Sequence, residues 1–249
     1  ATGFIGGVTG RFITDGLAAE GIATQFVEVA DDTRINVKVK AGEETEINGA
    51  GPRISDEKLA ELESILAGLT SDDTVVFAGS APSSLGNQVY NTLIPIAKQA
   101  GAEVVCDFEG QTLLDALNYQ PLLVKPNNHE LAAIFDVTLN GLADIEKYAR
   151  ELLAKGAKNV IISMAGDGAL LVTPEAAYFA KPIKGTVKNS VGAGDSMVAG
   201  FTGEYVKSGD PIEALKWGVA CGTATTFSDD LATAEFIKET YQKVEVEKL

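Results

Sequence analysis

Residues 189–196, which read NSVGAGDS, have the residue types best suited to holding and moving a charged group. Gly192 and Gly194 let the backbone come close to a ligand, and an apolar-periodic stretch follows, so the pattern predicts a glycine loop that opens a helix. The unpaired N–H groups of a first helical turn and the positive end of the helix dipole favour a phosphate. Asp195 adds a carboxylate, although an acid at a helix start is more often only a cap.

Three further segments carry polar residues at the ends of apolar runs. Residues 125–130 read KPNNHE, and taken alone Lys125 is a strand-end charge and Glu130 an exposed acid in a first helical turn. Residues 163–168 read SMAGDG, in which Gly166 and Gly168 permit a tight turn, so a plain hairpin turn is an equal interpretation. Arg34 has the planar fork that binds phosphate oxygens in two places, but it could also be an exposed strand arginine.

These residues need a framework, and the hydrophobic pattern supplies one. Short apolar runs bounded by turn residues predict strands buried on both faces at 72–79, 103–107, 121–125 and 159–163. Amphipathic stretches at 56–69, with Ser55 as N-cap, and at 144–155, ending at Gly156, predict helices between them. Because strands and helices alternate, the sequence predicts a parallel α/β sheet.

Two segments depart from this alternation. Residues 33–39 alternate polar and apolar side chains and 42–51 read as a turn plus a short strand, which predicts a half-exposed antiparallel flap. Near the end, Asp210 as N-cap, Pro211 at N1 and Glu213 in capping-box position predict a helix through about Phe227. Its run VACGTATT, which includes Gly222, leaves one face small enough for a neighbouring helix or a flat ligand.

Composition limits the partners. The net charge of −15 repels a polyanion over most of the surface, so nucleic acid and anionic membranes are not expected partners, and any phosphate site must be local. No apolar run approaches the length of a membrane span and no signal segment is recognisable, so we expect a cytoplasmic protein. The two cysteines, Cys106 and Cys221, are flanked by apolar or small residues and indicate buried thiols rather than a disulfide.

The segments NSVGAGDSMVAGF and KPNNHE, in this order, resemble the signature motifs of the PfkB (ribokinase-like) carbohydrate kinases, and the resemblance runs from Gly3 to about Phe227. It implies a three-layer α/β/α fold with a mostly parallel central sheet and a small β lid at about residues 30–52. It also implies ATP and Mg²⁺ as cofactors, and it predicts one kinase domain over 1–249 that lacks its N-terminal segment. Family members begin several dozen residues earlier, so the resemblance indicates a truncated or incompletely represented kinase.

The resemblance assigns roles residue by residue. The amides of Gly192, Ala193 and Gly194 would bind the transferring phosphoryl group, and Asp195 would contact the sugar hydroxyl and take its proton, which is chemically coherent because phosphoryl transfer depends on positioning and charge neutralisation. Asn127 and Glu130 would organise Mg²⁺ through water, with His129 as a spacer. The remaining expected contacts are those with ATP, by Lys125, Ser163, Gly166, Gly168, Gly192, Gly194 and Gly222, and those with the substrate, by Arg34, Asn36 and Ser80. Two positions depart from the family pattern: Ala165 stands where many members have glycine, and the turn GSAP lacks the second proline.

Within the family, the phrases GFIGGVTGRFI and TRINVKV resemble the branch of 1-phosphofructokinases and tagatose-6-phosphate kinases. The expected reaction is ATP-dependent phosphorylation of fructose 1-phosphate to fructose 1,6-bisphosphate, with tagatose 6-phosphate as the alternative substrate. An inactive fragment, or a protein that binds sugar phosphates without catalysis, is an alternative of another class. The family's flaps often pair two subunits, so a homodimer through the lid is a further expectation.

Overall fold

The structure, a computed structural model, describes residues 1–41 and 43–249 and divides them into two units. One unit comprises Ala1–Asp73 and Ser80–Ala102, and the other comprises Thr74–Gly79 and Glu103–Leu249. Gly42, which falls within the predicted lid, lies outside the described residues. The prediction of a single kinase domain over the whole chain stays a prediction.

The first unit joins a small parallel sheet to helices and a hairpin. Its elements are β1 (Thr2–Ile5), α1 (Gly7–Ala19), β2 (Gln25–Glu28), β3 (Asn36–Ala41), β4 (Glu43–Asn48), α2 (Asp56–Ala67) and α3 (Tyr90–Gln99). The Ser55 hydroxyl accepts a hydrogen bond from the Lys58 amide, as expected of the predicted N-cap. Helix α2 ends at Ala67, two residues before the predicted end. Leu62 and Leu66 form its buried face.

The predicted antiparallel flap is confirmed as the hairpin β3–β4. Its strands pair from Asn36 with Asn48 to Ala41 with Glu43. Val37 and Val39 alternate with polar residues along β3, and both are exposed. The hairpin therefore carries an apolar stripe that faces solvent within its unit.

The second unit contains the main sheet. Its strands are β5 (Thr74–Ala78), β6 (Glu103–Asp107), β7 (Leu123–Val124), β8 (Val160–Ser163), β9 (Ala169–Val172), β10 (Ala177–Ala180) and β11 (Val246–Lys248). Among the described residues they form one sheet of order β11-β10-β9-β8-β7-β6-β5. Strands β5 to β8 are parallel, as predicted, and β9 to β11 extend the sheet in antiparallel fashion.

Burial explains why these strands could be recognised. Val160, Ile161 and Ile162 of β8 are fully buried, and burying a side chain of this kind contributes about 1.5–3 kcal/mol. Strand β7 is shorter than the predicted 121–125. It lies between Pro121 and Pro126, and a proline has no N–H to donate to a neighbouring strand.

The helices of this unit are α4 (Gly110–Ala116), α5 (Asn128–Phe135), α6 (Leu142–Ala154), α7 (Ala193–Ser208), α8 (Pro211–Thr226) and α9 (Ala234–Tyr241). Helix α8 begins as predicted, because the Asp210 carboxylate accepts hydrogen bonds from the amides of Ile212 and Glu213. The Glu213 carboxylate accepts a hydrogen bond from the Tyr241 hydroxyl of α9, and this bond, with burial, raises the pKa of Tyr241 to about 12. Helix α9 is thereby tied to α8.

Helices α7 and α8 pack closely because glycines face the neighbouring helix. A Cβ on Gly200 would lie 2.7 Å from the Trp217 carbonyl oxygen, and one on Gly218 would lie 3.0 Å from the Met197 carbonyl oxygen. Within the predicted small face VACGTATT, a Cβ on Gly222 would lie 2.9 Å from the Ala193 carbonyl oxygen, so this position also packs against α7. In the described part of the chain, no helix is long and apolar enough to cross a membrane.

Candidate active site

The glycine loop opens helix α7, as the sequence predicts. Gly192 has a φ of 76°, in the left-handed region that favours glycine, and it is the N-cap residue. No side chain caps this helix in the described part of the chain, so its first turn offers amides to a ligand. The Ala193 amide donates to the Ser190 carbonyl at 3.3 Å. Asp195 lies in the first turn and is exposed.

Lys125 brings a positive charge to the same turn. It follows β7, and its side chain is 9% exposed. A Cβ built on Gly194 would lie only 3.2 Å from Lys125 Nζ, so the ammonium group lies against the backbone of α7. An ammonium group and the positive end of a helix dipole both attract an anion and repel each other. This part of the unit is therefore suited to a phosphate.

Asp107, which sequence reasoning missed, balances that charge. Its Oδ1 lies 3.4 Å from Lys125 Nζ, and its side chain is 17% exposed. Burial raises the pKa of the Asp107 carboxyl, Lys125 opposes this shift, and the negative charges of Asp195 and Glu130 raise it further. The available signal was its position: Asp107 ends β6, and the carboxyl ends of neighbouring parallel strands meet at one edge of a sheet.

Asn127 and Glu130 form a complete capping box at the start of α5. The Asn127 side chain accepts from the amides of His129 and Glu130, each at 2.9 Å, and the Glu130 carboxylate accepts from the Asn127 amide at 2.9 Å. Glu130 is half-buried, so it is not the exposed acid that its sequence alone suggests. Each carboxylate oxygen keeps a lone pair that can accept from a metal-bound water, so the capping role and the predicted Mg²⁺ role are compatible.

In residues 1–41 and 43–249, no group of three or more His, Cys, Asp or Glu side chains could hold a metal ion. The mutual electrostatic effect of Asp107, Asp195 and Glu130 nevertheless makes the region acidic. Oxygen donors in an acidic setting suit Mg²⁺ that keeps most of its waters.

The second predicted loop lies beside this capping box. Ser163 at the end of β8 forms a parallel bridge with Asn127, and its amide donates to the Pro126 carbonyl at 3.2 Å. The sequence suggests that Gly166 and Gly168 both shape the turn that follows, but the structure shows this only for Gly168. Gly168 has a φ of 98°, but the other left-handed residue is Ala165, with a φ of 47°, rather than Gly166.

Gly222 lies at the α7–α8 contact. It is buried, and a Cβ there would lie 2.9 Å from the Ala193 carbonyl oxygen and 3.3 Å from Met197 Cβ. Its closest neighbours thus belong to the helix that the glycine loop opens. Gly222 explains the close approach of the two helices, and its predicted contact with ATP stays a prediction.

The other unit contains the residues predicted for the substrate. Arg34 Nη2 donates to Ser80 Oγ at 3.1 Å. The two residues line a pocket of about 170 Å³ together with Phe4, Thr33, Gly51, Pro52 and Pro82. Gly49 leaves room for the arginine stem, since a Cβ there would lie 3.2 Å from Arg34 Cβ. Gly51 lies alongside the same stem, and a Cβ there would be in ordinary contact with Arg34 Cδ at 3.8 Å.

Asn36 does not line this pocket. Its Oδ1 accepts a hydrogen bond from the Gly49 amide at 3.1 Å and closes the open end of the β3–β4 hairpin. The structure thus brings Arg34 and Ser80 together and gives Asn36 a local contact in the hairpin.

Comparison with known proteins agrees with these features. The pfkB family of carbohydrate kinases matches residues 1–235. The 1-phosphofructokinase of Bacillus subtilis is 47% identical over 249 residues, which cover 100% of this chain and 82% of that protein. The D-tagatose-1-phosphate kinase of Bacillus licheniformis is 36% identical over 251 residues, with 100% and 82% covered.

Solved structures show the same fold. Phosphofructokinase-2 from Escherichia coli in complex with substrates and products has a TM-score of 0.91 and 30% identity, covering 98% of this chain and 81% of that one. Its tetrameric inhibited form has a TM-score of 0.88 and 31% identity, with 98% and 81% covered. The ribokinase-like α/β fold predicted from the sequence is confirmed. With a family match across nearly all of its length and a relative that shares almost half of its residues, the chain belongs to the pfkB family of carbohydrate kinases.

Proposed function

We propose that this chain transfers the γ-phosphoryl group of ATP to a hydroxyl group of a hexose phosphate. One observation carries the proposal: the buried ammonium group of Lys125 lies against the uncapped N-terminal turn of α7, which also presents Asp195. An anion that enters would be attracted by the ammonium group and by the helix dipole together. The carboxylate beside it has the chemistry of a proton acceptor.

In the proposed step, the sugar hydroxyl oxygen forms a bond to the γ-phosphorus while the bond from that phosphorus to the bridging oxygen of ADP breaks. Asp195 orients the hydroxyl and takes its proton. The amides of Gly192, Ala193 and Gly194 stabilise the charge on the transferring group, for which the Ala193 amide must give up its bond to Ser190. Catalysis is thus mostly positioning and charge neutralisation.

The proposed nucleotide site lies at the carboxyl ends of β7 and β8, where Lys125 and Ser163 are found. Lys125 pairs with ATP phosphates, and the turn of Ser163, Gly166 and Gly168 lies against the nucleotide, with the helix around Gly222 as the opposite wall. The bridge between Ser163 and Asn127 supports this proposal because it joins the turn to the capping box. ATP as the donor agrees with the family, whose members are carbohydrate kinases.

Asn127 and Glu130 are the proposed partners of Mg²⁺, through its bound waters. When bound, the ion neutralises phosphate charge. The capping box fixes both side chains before any ligand arrives, so they need not be ordered on binding.

For the acceptor, we propose fructose 1-phosphate, which would give fructose 1,6-bisphosphate. The B. subtilis relative at 47% identity is named 1-phosphofructokinase. The Arg34–Ser80 pocket supports a phosphate-bearing substrate, because a guanidinium fork and a hydroxyl both donate to phosphate oxygens. Asn36 and Asp195 complete the proposed substrate contacts.

A tagatose phosphate is the second candidate. Tagatose 6-phosphate is the alternative from the sequence, and the B. licheniformis relative at 36% identity is named for tagatose 1-phosphate. A phosphate-binding pocket accepts either sugar, so substrate preference depends on the sugar hydroxyls.

We also propose that two copies pair through the β3–β4 hairpin. Val37, Val39 and Ile47 are exposed, and Val37 is directly opposite Ile47 in the ladder, which supports an apolar contact surface. A related enzyme has a tetrameric form.

The cytoplasm stays the predicted location of this protein, since its two cysteines are free and disulfides are rare in a reducing compartment.

The decisive test is ADP release by the full-length protein, coupled to a spectroscopic signal, with fructose 1-phosphate, tagatose 6-phosphate, tagatose 1-phosphate and fructose 6-phosphate. We expect Mg²⁺-dependent turnover with the largest kcat/KM on fructose 1-phosphate. Metal-independent turnover, or turnover on free ribose or adenosine alone, contradicts the proposal. Binding of fructose 1-phosphate without ADP release would favour the non-catalytic alternative.

A further inference from the structure

Two serines fasten together the two segments that wall the Arg34 pocket. Gly51 and Pro52 lie on the connection between the hairpin and α2, whereas Ser80 and Pro82 lie on the turn after residue 79. Ser83 and Ser84, at the end of that turn, make hydrogen bonds back to the connection. We refer to the four hydrogen bonds between these two serines and residues 50–54 as the serine latch.

Ser83 contributes two donors to one acceptor. Its amide donates to the Ala50 carbonyl at 3.4 Å and its hydroxyl donates to the same oxygen at 3.3 Å. A proline at this position would supply neither donor. The contact therefore depends on the residue that this chain has here.

Ser84 closes the other half of the latch. Its hydroxyl donates to the Pro52 carbonyl at 3.2 Å and accepts from the Ile54 amide at 3.2 Å. Pro52 and Ile54 are both buried, so water is a poor substitute for that hydroxyl. The Ser84 hydroxyl thus bonds both to the Pro52 carbonyl and to the Ile54 amide, which lie on either side of Arg53.

The latch bears on the pocket because Arg34 lies close to both of the segments that the latch joins. Its stem passes Gly51 and its guanidinium group reaches Ser80, so the two latched segments hold its two ends. If they separated, the guanidinium fork and the Ser80 hydroxyl would no longer point at one phosphate. Pre-ordered groups bind more tightly because less freedom is lost on binding.

We propose that Ser83 and Ser84 are positioning residues that set the affinity for the phosphorylated end of the substrate. This inference rests on the proposed function, since it takes the pocket as the substrate phosphate site. Neither serine touches the substrate. They act through Arg34 and Ser80, and they therefore change substrate binding without changing the chemical step.

Ser84→Ala in the full-length protein tests the inference. We expect the KM for fructose 1-phosphate to rise about three- to tenfold, the effect of losing one or two net hydrogen bonds. We expect kcat and the KM for ATP to change by less than about twofold. Hydrogen exchange at the Ile54 amide should accelerate, because that amide loses its acceptor.

Two further variants distinguish a positioning role in substrate binding from a general effect on the stability of the protein. Ser84→Thr keeps the hydroxyl and should restore the KM, whereas Ser64→Ala, at an exposed position of α2, should leave all constants unchanged. An unchanged KM in Ser84→Ala, with faster exchange at Ile54, overturns the inference and leaves the latch a purely structural feature. Equal rises in both KM values also overturn it.

A second readout keeps the inference testable if the proposed reaction fails. Titration with inorganic phosphate, followed by NMR shifts of the Gly51 and Ser80 amides, reports on the pocket without turnover. Weaker phosphate binding in Ser84→Ala than in wild type supports the latch even if no sugar is phosphorylated. Equal binding in both proteins, or no shift at these amides in wild type, overturns it.

Discussion

The two units hold their charged residues in opposite ways. Lys125 and Asp107 are paired with only 9% and 17% of their side chains exposed, so the position of each is fixed by the other before any ligand arrives. Arg34 and Ser80 meet in an exposed hydrogen bond at the surface of their unit. Burying a charge requires a partner, whereas a solvated arginine needs none. The contrast is between a charge pair that burial fixes in one unit and an arginine in the other unit whose hydrogen bond is open to solvent.

The largest expected effect is that of Asp195→Asn. The amide keeps the size and polarity of the side chain, but it cannot accept the hydroxyl proton. Loss of a general base typically lowers the rate by about 10²–10⁴-fold, and we expect kcat for fructose 1-phosphate to fall by this order. The thermal midpoint should shift little. Both quantities are measured on the same two proteins, in the full-length chain.

If Asp195 only stabilised α7 through its charge in the first turn, the pattern would be the reverse. Stability would fall by about 1 kcal/mol or less, with kcat nearly unchanged. A variant that keeps more than about a tenth of wild-type kcat would remove Asp195 from the mechanism, since that loss is well below a general-base effect.

Arg34→Ala should have the next largest effect, on the other unit. The lost charge-assisted hydrogen bonds predict a rise of about 10- to 100-fold in the KM for the sugar phosphate and a far smaller change in the KM for ATP. Arg34→Lys keeps the charge but not the planar guanidinium fork, so its KM for the sugar phosphate should lie between those of wild type and Arg34→Ala. Steady-state kinetics with each substrate varied in turn measures both constants. Similar rises in both would place Arg34 outside the substrate phosphate site.

The sequence was sufficient for features that arise locally. Continuous apolar runs predicted β6 and β8, the Asp210–Pro211 pair predicted the start of α8, and the glycine loop predicted the start of α7. Asp107 was missed because a single acid at a strand end has meaning only beside its neighbour strand. The serine latch joins segments about 30 residues apart, and periodicity carries no information about such contacts.

Substitutions at Gly222 and Gly203 test whether the small face of α8 serves packing or nucleotide binding. A Cβ on Gly222 would meet the Ala193 carbonyl oxygen at 2.9 Å, so Gly222→Ala should destabilise the protein by about 1–3 kcal/mol. Gly203→Ala, in α7 with nothing within 4 Å of the new Cβ, should stabilise it by up to about 1 kcal/mol. Urea unfolding measures both.

The KM for ATP of Gly222→Ala separates the same two explanations. If Gly222 only walls the nucleotide, Gly222→Ala raises the KM for ATP with little change in the free energy of unfolding. Destabilisation of similar size in both variants would contradict the packing account, since only one position is crowded.

The smallest expected effect concerns Ala165, in the turn proposed to face the nucleotide. Its φ of 47° is a left-handed conformation that costs a residue with a Cβ about 1–2 kcal/mol. Ala165→Gly removes this strain but increases the freedom of the unfolded chain, which opposes it by about 0.4–1 kcal/mol. We therefore expect a net gain in stability of up to about 1 kcal/mol, measured by urea unfolding.

The structure explains how the turn tolerates alanine. Residue 165 already has a glycine-like conformation, and Gly168 supplies the second left-handed residue, so the shape of the turn does not depend on glycine at position 165. The KM for ATP of Ala165→Gly should stay within about twofold of wild type. Ala165→Val is the matched control, because a β-branched side chain is more strongly disfavoured at positive φ and should destabilise the turn. If Ala165→Gly lost stability while Ala165→Val kept it, the left-handed conformation at this position would be wrong. A large rise in the KM for ATP in Ala165→Gly alone would instead show that alanine restricts this turn for the nucleotide.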